Sequence, residues 1–312
     1  EAVTQANPNT VVVLCCGCVV ECPWADDVKG ILYLGLSGQA GGEAAANLLY
    51  GRVNPCGKLA ESWPLRYEDS PTANCYRNLK NAQYREGIYV GYRYYDKAEI
   101  PLRWAFGYGL SYTSFAYRDL EVSEGNVSVI VKNTGDVAGA EIVQLYILPP
   151  EGGIYRPRKE LKGFAKVFLN PGEEKSVAFQ LDERAFSIWN HGWKKVGGAY
   201  RVAVGTSSQN LLLSALLQVE GEATPPYSWQ IGSWYAMPKG TPSLVEWKKM
   251  YGVPLAGLSF KRGQYTMDNT ILEMKQDVRL MRFLYWAIET FLKIKFGGKR
   301  KSLSNPQFKM FL

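Results

Sequence analysis

Residues 127–135 read VSVIVKNTG, and this stretch predicts a β-strand that ends in a turn. Val127, Val129 and Val131 recur at every second position, so their side chains fall on one face of an extended chain. The same period returns beside turn sequences in residues 143–147, 177–181 and 200–204. Short alternating strands over about 100 residues predict an immunoglobulin-like or fibronectin-type β-sandwich for residues 116–220.

The stretch before the sandwich has an α/β pattern. Residues 10–14 form a continuous, mostly β-branched run, which predicts a parallel strand buried on both faces. A second strand is expected over 28–34 and an Ala-rich helix over 43–49, with a Gly-rich turn between them. We therefore assign residues 1–115 to part of a parallel-sheet α/β sandwich domain.

Residues 221–312 predict a linker followed by a helical C-terminal tail. The linker starts near Thr224 and two prolines, and apolar residues later recur at helical spacing at Leu280, Phe283, Leu284, Ala287, Ile288 and Phe291. Such an amphipathic helix docks on the protein body or on another domain. The alternative is a membrane-peripheral module, which Trp286 and the basic end of the chain favour.

Composition and charge exclude several classes of protein. The chain has 312 residues, of which 46% are hydrophobic and 21% charged, as in globular proteins. Its net charge of +7 is concentrated in Lys293, Lys295, Lys299, Arg300 and Lys301. A local cluster of this kind argues against a nucleic-acid-binding face. No apolar run reaches the length of a transmembrane helix.

Four of the six cysteines, Cys15, Cys16, Cys18 and Cys22, lie within eight residues. Cys15 and Cys16 are adjacent in a predicted strand, so they point to opposite faces and are poorly placed to share a tetrahedral metal site. We expect buried free thiols, with metal binding and redox chemistry as the alternatives. Unpaired thiols suit a reducing compartment, which predicts a cytoplasmic location.

A series of motifs resembles glycoside hydrolase family 3 of the β-glucosidase type. The motifs occur in residues 9–17, 38–44, 51–59, 86–95 and 106–113. The resemblance continues through 132–135, 160–164 and 205–208. Together these segments cover residues 1 to about 215, as an α/β sandwich part followed by a fibronectin type III-like domain.

The resemblance implies a retaining glycosidase that releases terminal β-linked glucose from a glucoside or oligosaccharide, without metal or cofactor. In this family the Asp nucleophile belongs to a (β/α)-barrel domain, and the acid/base is a Glu in a Glu-Gly-x-Asp-Arg motif. Neither motif is found in this sequence. Retaining hydrolysis needs two carboxyl groups about 5–5.5 Å apart, so we expect the chain alone to be inactive.

Glu86 is the one candidate catalytic carboxylate that stands out. It lies among tyrosines and arginines that would shift its pKa, and Arg93 and Tyr94 are candidate substrate-binding residues. The competing interpretation is that Glu86 pairs with Arg93 or holds the backbone N–H groups of a loop.

Other polar residues favour structural roles. Glu61 and Asp26 are weaker catalytic candidates than Glu86. Gly38–Gly42 lacks the spacing of a phosphate loop and predicts a tight strand-to-helix turn. His191 is the single histidine, which excludes a multi-histidine metal site and indicates a surface loop.

A second hypothesis is a non-catalytic carbohydrate-binding or scaffold protein that uses the aromatic loop at residues 84–112. It requires Tyr89, Tyr92 and Tyr94 to present open ring faces to a sugar. An incomplete parallel sheet also exposes apolar edge strands, which predicts an aggregation-prone chain or a homodimer.

Overall fold

The computed structural model describes residues 2–75, 82–152, 154–224, 233–252, 263, 265 and 269–296. Lys299, Arg300 and Lys301 of the predicted basic end lie outside these residues. The chain divides into two compact units, residues 1–251 and 252–312.

The helices within the described residues are α1 (Ala2–Ala6), α2 (Gly41–Leu49), α3 (Tyr92–Ala98), α4 (Leu244–Tyr251), α5 (Ile271–Met274) and α6 (Arg279–Lys295). The strands up to the middle of the sandwich are β1 (Val11–Leu14), β2 (Gly30–Tyr33), β3 (Trp63–Pro64), β4 (Leu102–Trp104), β5 (Phe115–Val122), β6 (Asn126–Asn133) and β7 (Gly139–Leu148). The later strands are β8 (Glu160–Leu169), β9 (Glu174–Gln180), β10 (Ser187–Trp189), β11 (Trp193–Lys195), β12 (Gly198–Ser207) and β13 (Asn210–Val219).

The predicted β-sandwich is confirmed. One sheet has the order β13-β12-β7-β8 and the other β5-β6-β9, with neighbouring strands antiparallel. The alternating residues face each other between the sheets and are buried in one cluster: Val127, Val129, Val131, Val143, Leu145, Leu169, Val177, Phe179, Val202 and Val204. Burial of this apolar surface is the main source of the domain's stability.

The α/β pattern is confirmed, but its predicted burial is wrong. β1 and β2 pair in parallel from Val11 opposite Gly30 to Leu14 opposite Tyr33, and α2 follows them. Val11 and Val13 nevertheless remain exposed. Among the described residues, too few pack on the faces of this two-stranded sheet to bury both of them.

The cysteines also depart from the expectation of burial. Cys22 and Cys75 are buried, but Cys15 and Cys18 are exposed and Cys16 and Cys56 are intermediate. β1 ends at Leu14, so the cysteines that follow lie in an irregular segment rather than on a covered strand.

The second unit contains the predicted amphipathic helix as α6. It has no buried residue, and apolar side chains such as Phe283, Trp286 and Phe291 are exposed on it. Among the described residues no helix is long and apolar enough to cross a membrane. The membrane-peripheral role of this helix stays a prediction.

We expect Leu145→Ala to lower the free energy of unfolding by about 2–5 kcal/mol, because it leaves a cavity between the two sheets. Leu145 is 0% exposed. The matched control is Leu216→Ala on β13, where the side chain is 71% exposed and the expected change is within about 0.5 kcal/mol. Urea unfolding measures both; equal losses would contradict the assigned core.

Candidate functional site

A cleft of about 570 Å³ opens in the α/β part of the chain. Its walls come from the segment after β1, from the loops before and after β3, and from the turn that leads into α3. The charged residues on these walls are Glu21, Glu61, Arg66 and Glu86. A cavity of this size that combines carboxylates with aromatic rings is suited to a small polar ligand such as a sugar.

Glu86 is the most enclosed of these carboxylates. The residue is 7% exposed, and its Oε2 is buried without a hydrogen-bond partner among the described residues. The turn that carries it is held by Tyr235, whose hydroxyl donates to the carbonyl of Arg85 at 2.7 Å. The protein thus positions Glu86 at the cleft wall through its neighbour, and its catalytic role stays a prediction.

Arg93 does not pair with Glu86, so that part of the competing interpretation is wrong. Its Nη2 lies 3.6 Å from Oε1 of Glu160 on β8, and its guanidinium lies 5.8 Å from the centre of the Tyr92 ring. The partner lies in the sandwich, so this contact links α3 to β8. Whether Arg93 also contacts substrate stays a prediction.

Tyr94 lies in the interior. Its ring stacks on Trp234 with centroids 6.1 Å apart, and its hydroxyl accepts a hydrogen bond from the N–H of Gly240 at 2.8 Å. Burial raises the pKa of Tyr94, and the Gly240 hydrogen bond acts in the opposite direction. In this structure the ring has no face open to a sugar, and its assignment to substrate binding stays untested.

The hypothesis that the aromatic loop binds carbohydrate through open ring faces is wrong for the three tyrosines that it requires. Tyr89, Tyr92 and Tyr94 are all buried. Tyr92 stacks on Phe106 with centroids 4.8 Å apart and makes an edge contact with Tyr146 of β7. These rings therefore pack residues 89–94 against the rest of the unit, and of the three only Tyr92 contributes to the lining of the cleft.

Two buried ion pairs connect the α/β part to the sandwich. Lys58 Nζ lies 3.0 Å from Oε1 of Glu141, and the two side chains are 9% and 5% exposed. Lys159 Nζ lies 3.0 Å from Oδ2 of Asp96, whose Oδ1 accepts a hydrogen bond from Gln209. Charges removed from water in this way need close partners, so these contacts fix the relative position of the two parts.

Asn54 and Gln144 complete this interdomain interface. Asn54 donates to the carbonyl of Ala138 at 3.1 Å, and its Oδ1 accepts from the N–H of Tyr112 at 2.8 Å. Gln144 Nε2 donates to the carbonyl of Gly107 at 3.0 Å. Gly107 has a φ of +83°, a conformation that favours glycine, and a Cβ there would lie 2.1 Å from Gln144 Oε1 and displace the amide.

Sequence reasoning missed the interface, although β7 carried a signal. Glu141 and Gln144 are polar residues in a strand whose residues are nearly all buried. Buried polar groups need hydrogen-bond or ion-pair partners, so a buried strand that carries them must pack against a second structure. The identity of that structure was not readable from local pattern.

The remaining candidates are separated from one another. Glu61 lines the cleft, whereas Asp26 is exposed and its Oδ2 lies 2.7 Å from Nη1 of Arg103. His191 is exposed in the turn between β10 and β11, as expected of a surface loop. Among the residues that the structure describes, no group of three or more His, Cys, Asp or Glu side chains is placed to hold a metal ion.

Two family models match the chain in sequence order. The glycosyl hydrolase family 3 C-terminal domain matches residues 1–112, and the fibronectin type III-like domain matches residues 141–208. The first range includes the whole cleft. The second lies within the sandwich and includes Glu141 of the interdomain interface.

Curated relatives align with the chain over much of its length. Thermostable β-glucosidase B of Acetivibrio thermocellus is 47% identical over 234 residues, which are 70% of this chain and 31% of that protein. Exo-α-(1→6)-L-arabinopyranosidase of Bifidobacterium longum is 42% identical over 289 residues, or 88% of this chain and 37% of that protein. The chain thus spans about a third of the length of these relatives.

Solved structures are also similar to this chain and are likewise matched over part of their length. A family 3 β-glucosidase of Bifidobacterium adolescentis has a TM-score of 0.67 and 40% identity, covering 80% of this chain and 38% of that one. A β-glucosidase of Kluyveromyces marxianus in complex with glucose has a TM-score of 0.67 and 43% identity, covering 70% and 28%.

We expect Lys58→Met to lower the free energy of unfolding by about 3–5 kcal/mol, because it leaves the Glu141 carboxylate buried without a cation. The double variant Lys58→Met with Glu141→Leu should recover most of that loss, since no buried charge remains. Urea unfolding followed by circular dichroism measures each variant.

The matched control is the exposed pair of Arg118 and Glu174, 2.7 Å apart. Arg118→Met should cost no more than about 1 kcal/mol. If Lys58→Met also lowered the free energy of unfolding by no more than about 1 kcal/mol, the interface would not depend on the buried pair.

Proposed function

Because this chain belongs to glycoside hydrolase family 3, with the C-terminal domain followed by the fibronectin type III-like domain, we propose that it forms one wall of the sugar cleft of a retaining β-glucosidase-type enzyme. The reaction is hydrolysis of O-glycosyl bonds with release of terminal β-D-glucosyl residues. One observation carries the proposal: the carboxylate-lined cleft lies within the matched domain, which buried ion pairs hold on the sandwich.

The catalytic carboxylates are proposed to come from outside this chain. A retaining glycosidase places a nucleophile and an acid/base about 5–5.5 Å apart across the scissile bond. Four glutamates precede glycine here, namely Glu86, Glu124, Glu151 and Glu220, but none begins Glu-Gly-x-Asp-Arg. A (β/α)-barrel domain is therefore the proposed partner, and the sandwich acts as its brace.

The proposed substrate is a β-linked glucoside or oligosaccharide. Relatives of similar identity are named β-glucosidase and exo-α-(1→6)-L-arabinopyranosidase, so similar C-terminal parts occur with different sugars. Specificity is then decided by loops of the barrel. Neither a metal nor a cofactor takes part in the proposed reaction.

We expect the purified chain not to hydrolyse an aryl β-D-glucoside, whereas the protein extended upstream with the barrel should do so. The reason is that two positioned carboxyl groups are needed for the glycosyl-enzyme intermediate. Release of the aryl alcohol measures the rate, and an aryl α-L-arabinopyranoside run in parallel distinguishes the two sugars.

The control is Glu86→Gln in both forms. Activity of the short chain that disappears with Glu86→Gln would contradict the proposal and make Glu86 catalytic. An extended protein inactive on both substrates would contradict the assigned reaction.

A homodimer of the isolated chain is also proposed. Val11, Val13 and Leu36 are exposed on the α/β part, beside a sheet that has two strands within the described residues. Apolar edge strands of this kind pair with other chains.

Light scattering after gel filtration should give twice the monomer mass for the isolated chain. Val11→Glu combined with Val13→Glu should give a monomer, because charges at this edge oppose pairing. The matched control Val137→Glu changes an equally exposed valine beside the sandwich and should remain dimeric. A monodisperse monomer of the unchanged chain would end the proposal.

A cytoplasmic location is proposed as well. All six cysteines are unpaired. This supports a reducing compartment, where thiols are kept from forming structural disulfides.

A further inference from the structure

A group of thiols lies at the end of β1, outside the set of groups used in the proposed hydrolysis. Cys15, Cys16 and Cys18 follow Leu14 within four residues. Cys15 and Cys18 are exposed and Cys16 is intermediate. Residues 15–22 belong to no helix or strand, so no ladder of backbone hydrogen bonds fixes them.

The spacing of Cys16 and Cys18 suits a covalent bond between them. Only Gly17 separates the two thiols along the chain. Their Cα atoms are at most about 7 Å apart, and disulfides span about 4.4–6.8 Å between Cα atoms. Gly17 between them has no side chain to oppose a slight bend.

Tyr33 on the neighbouring strand β2 lies near both thiols. Burial is the main cause that raises the pKa of its phenol, and Cys16, Glu61 and Cys18 each add to the rise.

We propose that Cys16 and Cys18 form a reversible disulfide in exchange with glutathione disulfide. The exposed Cys18 thiolate attacks one sulfur of glutathione disulfide, whose S–S bond breaks and releases one glutathione. The Cys16 thiolate then attacks the Cys18 sulfur and releases the second glutathione. The protein loses two electrons and two protons, and both pass to the two glutathione molecules.

The other cysteines nearby are less suited to this exchange. Cys15 and Cys16 are adjacent, and Cα atoms of adjacent residues are about 3.8 Å apart, closer than the 4.4–6.8 Å that disulfides usually span. Cys22 is buried, and burial raises the pKa of its thiol, with Cys16 adding to the rise. A buried thiol with little thiolate reacts slowly.

The disulfide would constrain the segment that enters the cleft. Val19 and Glu21 line the cleft directly after Cys18. Glu21 Oε1 accepts a hydrogen bond from the N–H of Tyr67 on the opposite wall at 2.7 Å. The proposed site thus makes the shape of one cleft wall dependent on the thiol state, whatever reaction the cleft serves.

The test equilibrates the full chain in an excess of glutathione disulfide, blocks free thiols with N-ethylmaleimide and digests the protein after Glu and Lys. Cleavage after Glu21 separates Cys22 from the other three thiols. Peptide 2–21 should be two hydrogens lighter, with one maleimide on Cys15. Excess reduced glutathione should restore three maleimides.

Variants identify the pair. Cys16→Ser and Cys18→Ser should each abolish the internal bond, while the matched control Cys15→Ser should keep it. Three maleimides on peptide 2–21 after oxidation would overturn the proposal. An internal bond that survives in Cys16→Ser would overturn it too, because Cys15 would then be the partner of Cys18. The unchanged chain alone gives the first readout, so the test does not depend on variants that fold.

Discussion

The buried ion pair between Lys58 and Glu141 is the contact on which the placement of the cleft depends. Removing two charges from water costs several kcal/mol for each ion, and only close partners offset that cost. Lys58 also donates to the carbonyl of Gly109 at 2.9 Å, and Glu141 accepts from the N–H of Ile142 at 2.8 Å. Because every one of these groups needs its partner, the α/β part has one favourable position on the sandwich.

β7 carries this constraint because it is buried on both sides. Val143 and Leu145 belong to the core between the two sheets. Gln144 points the other way and donates to Gly107, while the hydroxyl of Tyr146 donates to Gln144 Oε1 at 2.7 Å. One strand therefore joins an apolar core to a polar interface, and a shift in its register would disrupt both.

The cleft depends on side-chain contacts of this kind. Much of its lining is irregular in backbone, and segments without ladders are held only by side-chain and capping contacts. The tyrosines of α3 supply contacts of this kind. The hydroxyl of Tyr92 accepts a hydrogen bond from the N–H of Leu161 at 2.8 Å. Tyr95 lines the cleft, and burial raises its pKa to about 12. Aromatic residues that suggest a sugar-binding surface thus act here as packing.

The sequence by itself determined the sandwich strands, α6 and the family resemblance, because periods of two and 3.6 residues and ordered motifs are properties of neighbouring residues. Only the tertiary structure decided that Tyr94 is covered by residues 234–240, that Arg93 pairs with Glu160, and that Cys18 is exposed. A local pattern specifies which face of an element is apolar. It does not specify which distant segment covers that face, and burial, ion pairing and access to the cleft all depend on that choice.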